Sequence, residues 1–128
     1  MVSLQKAVVA IGMFAIVEAH LQDREDGKNG FKIALERLGR EGSPELKQRF
    51  LDLKDAVNVL KHGEGDSYKR LLERGEASRF KVTQPHQRFF HEGDVSEVVT
   101  TLVQVDDAFI REATEVIREV VACVEHLT

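Results

Sequence analysis

Asp55, Asn58 and His62 recur at i, i+3 and i+7. In a helix that spacing stacks three polar side chains on one face. An imidazole exchanges protons near neutral pH, so His62 is the residue type for general acid–base work. Asn58, one turn below, is the matching polar partner, and these two are the candidate catalytic residues. The chain then reads Lys61-His62-Gly63-Glu64-Gly65-Asp66-Ser67-Tyr68-Lys69-Arg70. Gly63 and Gly65 permit a tight turn. Ser67, Tyr68, Lys69 and Arg70 then open a second helix, whose first N–H groups and dipole suit an anion. Lys61, Gly63, Gly65, Ser67, Tyr68, Lys69 and Arg70 are therefore the candidate ligand-binding residues, with phosphate or a phosphodiester as the fitting chemistry. The same residues also read as an ordinary helix end, with a terminal histidine on free carbonyls and Asp66 or Ser67 as a cap.

This segment resembles the HEPN family (higher eukaryotes and prokaryotes nucleotide-binding domains). Those domains are helical bundles, often dimeric, and many are ribonucleases. Active members place an arginine and a histidine near a helix end with four to six residues between them. His62 matches the family histidine and Asn58 a polar residue upstream of it. The arginine position falls on Asp55, Ala56 or Val57, none of which is basic, and Lys54 lies one residue too far. Arg79 and His86 have the right separation, but Pro85 lies between them. The resemblance, over residues 43–72 and the helical layout, implies a degenerate member that binds nucleotide, RNA or a partner without established catalysis.

Other chemistry finds less footing. Glu18 and His20 at i, i+2 do not face each other on a helix. His86 and His91 flank Arg88-Phe89-Phe90, a loop that can stack on a base or anchor to a core. One cysteine, Cys123, and five scattered histidines give no metal-ligand spacing, so no metal and no cofactor is expected. No phosphate-loop, dinucleotide-binding or nucleophile-elbow motif is present in the sequence.

The average charge argues against nucleic acid, but its distribution is uneven. The chain nets −4, whereas a phosphate-binding surface leaves a basic footprint. Residues 92–128 net −7 and the rest +3, with a local basic patch of Lys69, Arg70, Arg74, Arg79 and Lys81. The apolar run 7–17 is too short to span a bilayer and passes directly into Glu18 and His20, which suits a buried helix of a cytoplasmic protein with no membrane partner.

The 128 residues suit a single domain, 1–128, and 11 Gly plus Pro are too few for a linker-rich chain. Helices are expected at 3–23, 30–39, 43–62, 66–76 and 107–127. The first is apolar nearly all round, so most of its circumference should be buried. Gly12 inside it costs about 1 kcal/mol relative to Ala, and a close helix crossing is one compensation. Ser43 and Pro44 cap the third, along which Leu46, Phe50, Leu53, Val57 and Leu60 repeat at spacings of 4, 3, 4 and 3. The last carries a stripe of Ile110, Ala113, Ile117, Val121 and Val124, widened by Phe109, Val116 and Val120. Segments 80–84 and 98–105 are β-prone and read as a pair. The expected fold is mainly α, a four- or five-helix bundle with a small antiparallel β ribbon before the last helix. A homodimer through the ribbon or through the apolar first helix would enlarge a small core. The competing function is thus a non-enzymatic dimeric interaction module using the ribbon and the acidic last helix.

Overall fold

In the computed structural model, residues 3–24, 30–82, 89–90 and 100–126 are described. Five helices carry the chain: α1 (Ser3–Arg24), α2 (Gly30–Arg37), α3 (Pro44–His62), α4 (Asp66–Arg74) and α5 (Asp107–His126). No helix among the described residues is long and apolar enough to cross a membrane.

α3 forms where its capping residues and apolar repeat place it. The Leu46 N–H donates to Ser43 Oγ at 3.1 Å, and Pro44 occupies the first turn. Leu46, Phe50, Leu53 and Val57 are buried, with Phe50 and Leu53 fully enclosed, and Leu60 is half-buried. Phe50 stacks on Phe14 of α1 at 5.4 Å and Phe31 of α2 at 6.0 Å between ring centroids. α3 is thus the central helix, packed by α1, α2, α4 and α5. The Phe31 N–H donates to Gln22 Oε1 at 2.8 Å, so an α1 side chain satisfies an early N–H of α2. α2 does not run on to Gly39: it passes into a π-helical turn, Leu38–Gly42, that delivers the chain to Ser43.

α4 ends at Arg74 and is followed by a 3₁₀ turn, Gly75–Ala77. Its N-cap is Gly65, with no side-chain cap bond, rather than Asp66 or Ser67. At the start of α5 the Phe109 N–H donates to Asp106 Oδ1 at 2.9 Å, so Asp106 is the cap; Asp107 pairs outward with Lys6 at 3.2 Å.

Among the described residues the expected β ribbon is not formed, and the fold class is corrected to mainly α without it. Extended pairing among the described residues is limited to β1 (Phe89–Phe90) against β2 (Thr100–Thr101) and one isolated bridge between Val82 and Val103. A ribbon needs side chains that alternate between two faces. Here neighbouring Leu102 and Val103 are both buried, as is Val105, so the β-branched run fills the bundle core instead. His86, Arg88 and His91 lie outside the described residues.

Two further expectations are redrawn. Along α5 the buried centre is Phe109, Ala113, Val116, Val120 and Val124, while Ile110, Ile117 and Val121 are half-buried at its margin. Among the described side chains of α1, those of Ala7, Ala10, Phe14, Val17 and Leu21 are buried and the rest are not. Its neighbours cover one side, leaving Val8 62%, Val9 37% and Ile16 73% exposed.

Candidate functional site

The turn after α3 reverses the chain. Gly63 sits at φ +77°, a left-handed conformation that favours glycine, and its N–H donates to Val59 O at 2.8 Å. α4 then returns along α3 as a ladder of side-chain pairs. Asn58 Nδ2 donates to Ser67 Oγ at 3.3 Å. Below it, Arg70 grips Asp55 through Nε and Nη2 at 2.9–3.2 Å. Below that, Arg74 grips Asp52 through Nε and Nη2 at 2.9–3.2 Å. Gln48 Nε2 adds a bond to Asp52 Oδ1 at 3.0 Å. Both aspartates are buried. The Asp55 and Asp52 hydrogen bonds hold the guanidiniums of Arg70 and Arg74 above their usual pKa, against the opposing effect of burial.

This arrangement sorts the residues singled out from the sequence. Asp55, Asn58, Ser67 and Arg70 come together, but they bond to one another across the α3–α4 seam. Arg70 also donates to Ser67 Oγ at 3.0 Å, which occupies the hydroxyl further. Tyr68 is buried in the core at 3% exposure rather than facing a ligand. His62, Lys61 and Lys69 are exposed, as is Gly65, and Gly63 is half-buried within the turn.

The second rung, Asp52 with Arg74, was not singled out from the sequence. Its signal was present: acids at i, i+3 on α3 answer arginines at i, i+4 on α4. A third network ties α3 to α5. Arg49 donates to Glu119 at 2.9 Å and to Glu112 at 3.0 Å, and Arg79 reaches the other Glu112 oxygen at 3.2 Å. A polar cleft of about 290 Å³ lies here, lined by Gln48, Arg49, Asp52, Arg74, Arg79 and Glu112 among others. Its guanidiniums already carry carboxylate partners. Arg49 Nε is buried without an acceptor among the described residues. Burial opposes the charge on Arg49, and the bonds to Glu112 and Glu119 more than offset it, so its pKa is raised.

A groove of different chemistry runs between α1 and α5. It measures about 390 Å³ and is walled by Met13, Ile16, Val17, Ile117 and Val121, with His20 and Thr114 also lining it. Thr114 Oγ1 donates to Met13 Sδ at 3.9 Å. The groove continues onto the outer side of α1, where Gln5, Val8, Val9, Gly12, Ala15, Ile16 and Ala19 are all exposed. Among the described residues no group of three or more His, Cys, Asp or Glu gathers as a metal site. No family model, curated protein or solved structure matches this chain.

Proposed function

We propose that this chain is a non-enzymatic protein-interaction module whose contact surface is the apolar side of α1 with the α1–α5 groove. The observation that carries the reading is the outward face of α1. A water-facing helix side is ordinarily polar, and this one presents Val8, Val9 and Ile16 beside Gly12, Ala15 and Ala19. Apolar residues gathered in this way mark a surface that is covered in use.

The nucleotide or RNA reading has less support from the same geometry. Of the basic patch, Arg70, Arg74 and Arg79 are engaged with Asp55, Asp52 and Glu112. His62 stands on an exposed helix end, while its expected companions Asn58 and Ser67 bond to each other.

Placing a photo-crosslinking phenylalanine analogue at position 16 tests the reading in the producing cell. The expected result is a light-dependent protein adduct at position 16 and none at the exposed polar position 61. Absence of any adduct at 16 overturns it. In parallel, single-stranded RNA is titrated at low salt, where electrostatic binding is strongest. No binding is expected, and His62→Ala should change folding stability by less than about 0.5 kcal/mol, because His62 is exposed. RNA binding that vanishes in His62→Ala would replace the interaction reading with the nucleic-acid one.

A further inference from the structure

The arginines of this fold meet their carboxylates in two ways. Arg70 and Arg74 each spend Nε and Nη2 together on one aspartate, Asp55 and Asp52 respectively. That two-pronged edge is the ordinary match of a guanidinium to a carboxylate. Arg49 does not make it. Its Nη2 donates to Glu112 Oε2 at 3.0 Å and its Nη1 to Glu119 at 2.9 Å. The other Glu112 oxygen, which in a two-pronged pair would take Arg49 Nε, accepts instead from Arg79 Nη1 at 3.2 Å. Glu112 is thus divided between two arginines, and this division leaves Arg49 Nε buried without an acceptor among the described residues. A buried N–H on a charged group is costly to leave unpaired.

Arg49 lines the 290 Å³ cleft together with Arg74 and Arg79. The lining is rich in donors, and its buried acceptors are already engaged. Both oxygens of Asp52 accept from Arg74, and Gln48 adds a third bond. Glu112 accepts from Arg49 at one oxygen and from Arg79 at the other. Each guanidinium carries five N–H groups and no acceptor. Arg79, with 65% of its side chain exposed, donates through Nη1 alone among the described residues.

We infer that this cleft binds a small oxyanion, a carboxylate or a phosphate monoester, with one oxygen on Arg49 Nε and another on Arg79. The class follows from the donors: an oxyanion offers several acceptors on one centre and asks for no acceptor in return. The reach follows from Glu112. Arg49 and Arg79 contact the same carboxylate, so their guanidiniums stand close enough to share a second one. The volume, at the lower edge of the roughly 300–1,000 Å³ range of ligand pockets, suits a small anion. Net charge does not draw the anion in, because Arg49, Arg74 and Arg79 are matched by Glu45, Asp52 and Glu112. Recognition rests on fixed N–H directions instead. Arg49 is anchored through both Nη atoms, so its Nε–H is held in place before any ligand arrives. Glu45 is exposed and opposes the anion only through screening solvent. The cleft shares no residue with the α1–α5 groove, so this site stands independently of the interaction surface on α1.

The test titrates the full chain with inorganic phosphate and, separately, with acetate at fixed ionic strength. It is read by NMR at the Arg49 Nε–H resonance, assigned by its absence from Arg49→Lys. Saturable movement of that resonance is expected. Arg79→Gln should weaken binding at least about tenfold, because it removes a charged donor and releases Glu112 Oε1 to Arg49 Nε. The exposure of Arg79 lets that variant keep its fold. Glu45→Gln should tighten binding by removing a like charge. Saturation at lower phosphate than acetate assigns the phosphate class, and the reverse order assigns the carboxylate class. A resonance that neither anion moves overturns the site and leaves Nε–H to water. Binding that survives Arg79→Gln unchanged, or that Glu45→Gln weakens, overturns it as well.

Discussion

Phe50→Ala is expected to lower the unfolding free energy by about 3–5 kcal/mol, the usual cost of emptying a fully buried phenylalanine site. Phe50 has no exposed surface and touches the rings of Phe14 and Phe31, so its removal opens a cavity where α1, α2 and α3 meet. Both neighbours are themselves held by helices, and Phe14 and Phe31 already pack edge-on at 6.3 Å, so the site closes little. Against a typical domain stability of about 5–15 kcal/mol, roughly a fifth or more of the total is lost. The melting temperature should fall by roughly 10–20 °C. Phe50→Leu, which keeps most of the volume, should cost much less. Urea titrations check both through the shift of midpoint at constant slope. A loss below about 1 kcal/mol for Phe50→Ala would mean that the three rings do not form the centre of the fold.

Asp52→Ala is the second large effect. The carboxylate has 3% of its side chain exposed and accepts from Gln48 and, at two atoms, from Arg74. Removing it strands the Gln48 amide and one face of the guanidinium. Breaking a fully buried pair costs about 3–5 kcal/mol. Here Arg74 keeps 32% of its side chain in water and recovers part of its hydration, so about 2–3 kcal/mol is expected. The double variant Asp52→Ala with Arg74→Ala should be markedly less destabilised than the sum of the singles. Additive losses would show that the pair does not join α3 to α4.

How far the fold was readable depended on whether a residue's local signal was unique. α3 carried three consistent signals: Ser43, Pro44 and a 4–3 apolar repeat that leaves one face to bury. α5 carried a choice. Val116 and Ile117, or Val120 and Val121, are equally apolar, so hydropathy does not select the inward one; packing against α3 selects the valines. α1 gave no face at all, because nearly every residue to Val17 is small or apolar, and full burial was the natural expectation. Only the number and placement of neighbours decides that Val8 and Ile16 stay outside. In the 98–105 segment, β-branched side chains signalled pairing, but Leu102, Val103 and Val105 are instead spent in the core. The site divided along the same line. The i, i+3, i+7 spacing correctly put Asp55 and Asn58 on one face. What it could not show was that the face meets α4, whose arginines lie 15 and 22 residues further on. Asn58 and Ser67 are consumed by that seam, and His62, one turn beyond, falls past its end.

The contacts that close α1 against α5 join residues very far apart in the chain. Met13 takes its bond from Thr114 across 101 residues, and Lys6 takes Asp107 across the same interval. At a synthesis rate of about 5–20 residues per second, roughly 5–20 s separate the emergence of these partners. Helical domains of this kind fold in microseconds to milliseconds once complete. The flank of α1 that α5 will cover therefore waits on the ribosome rather than on folding. Through that interval the growing chain displays an apolar helix to every chaperone and nascent neighbour nearby.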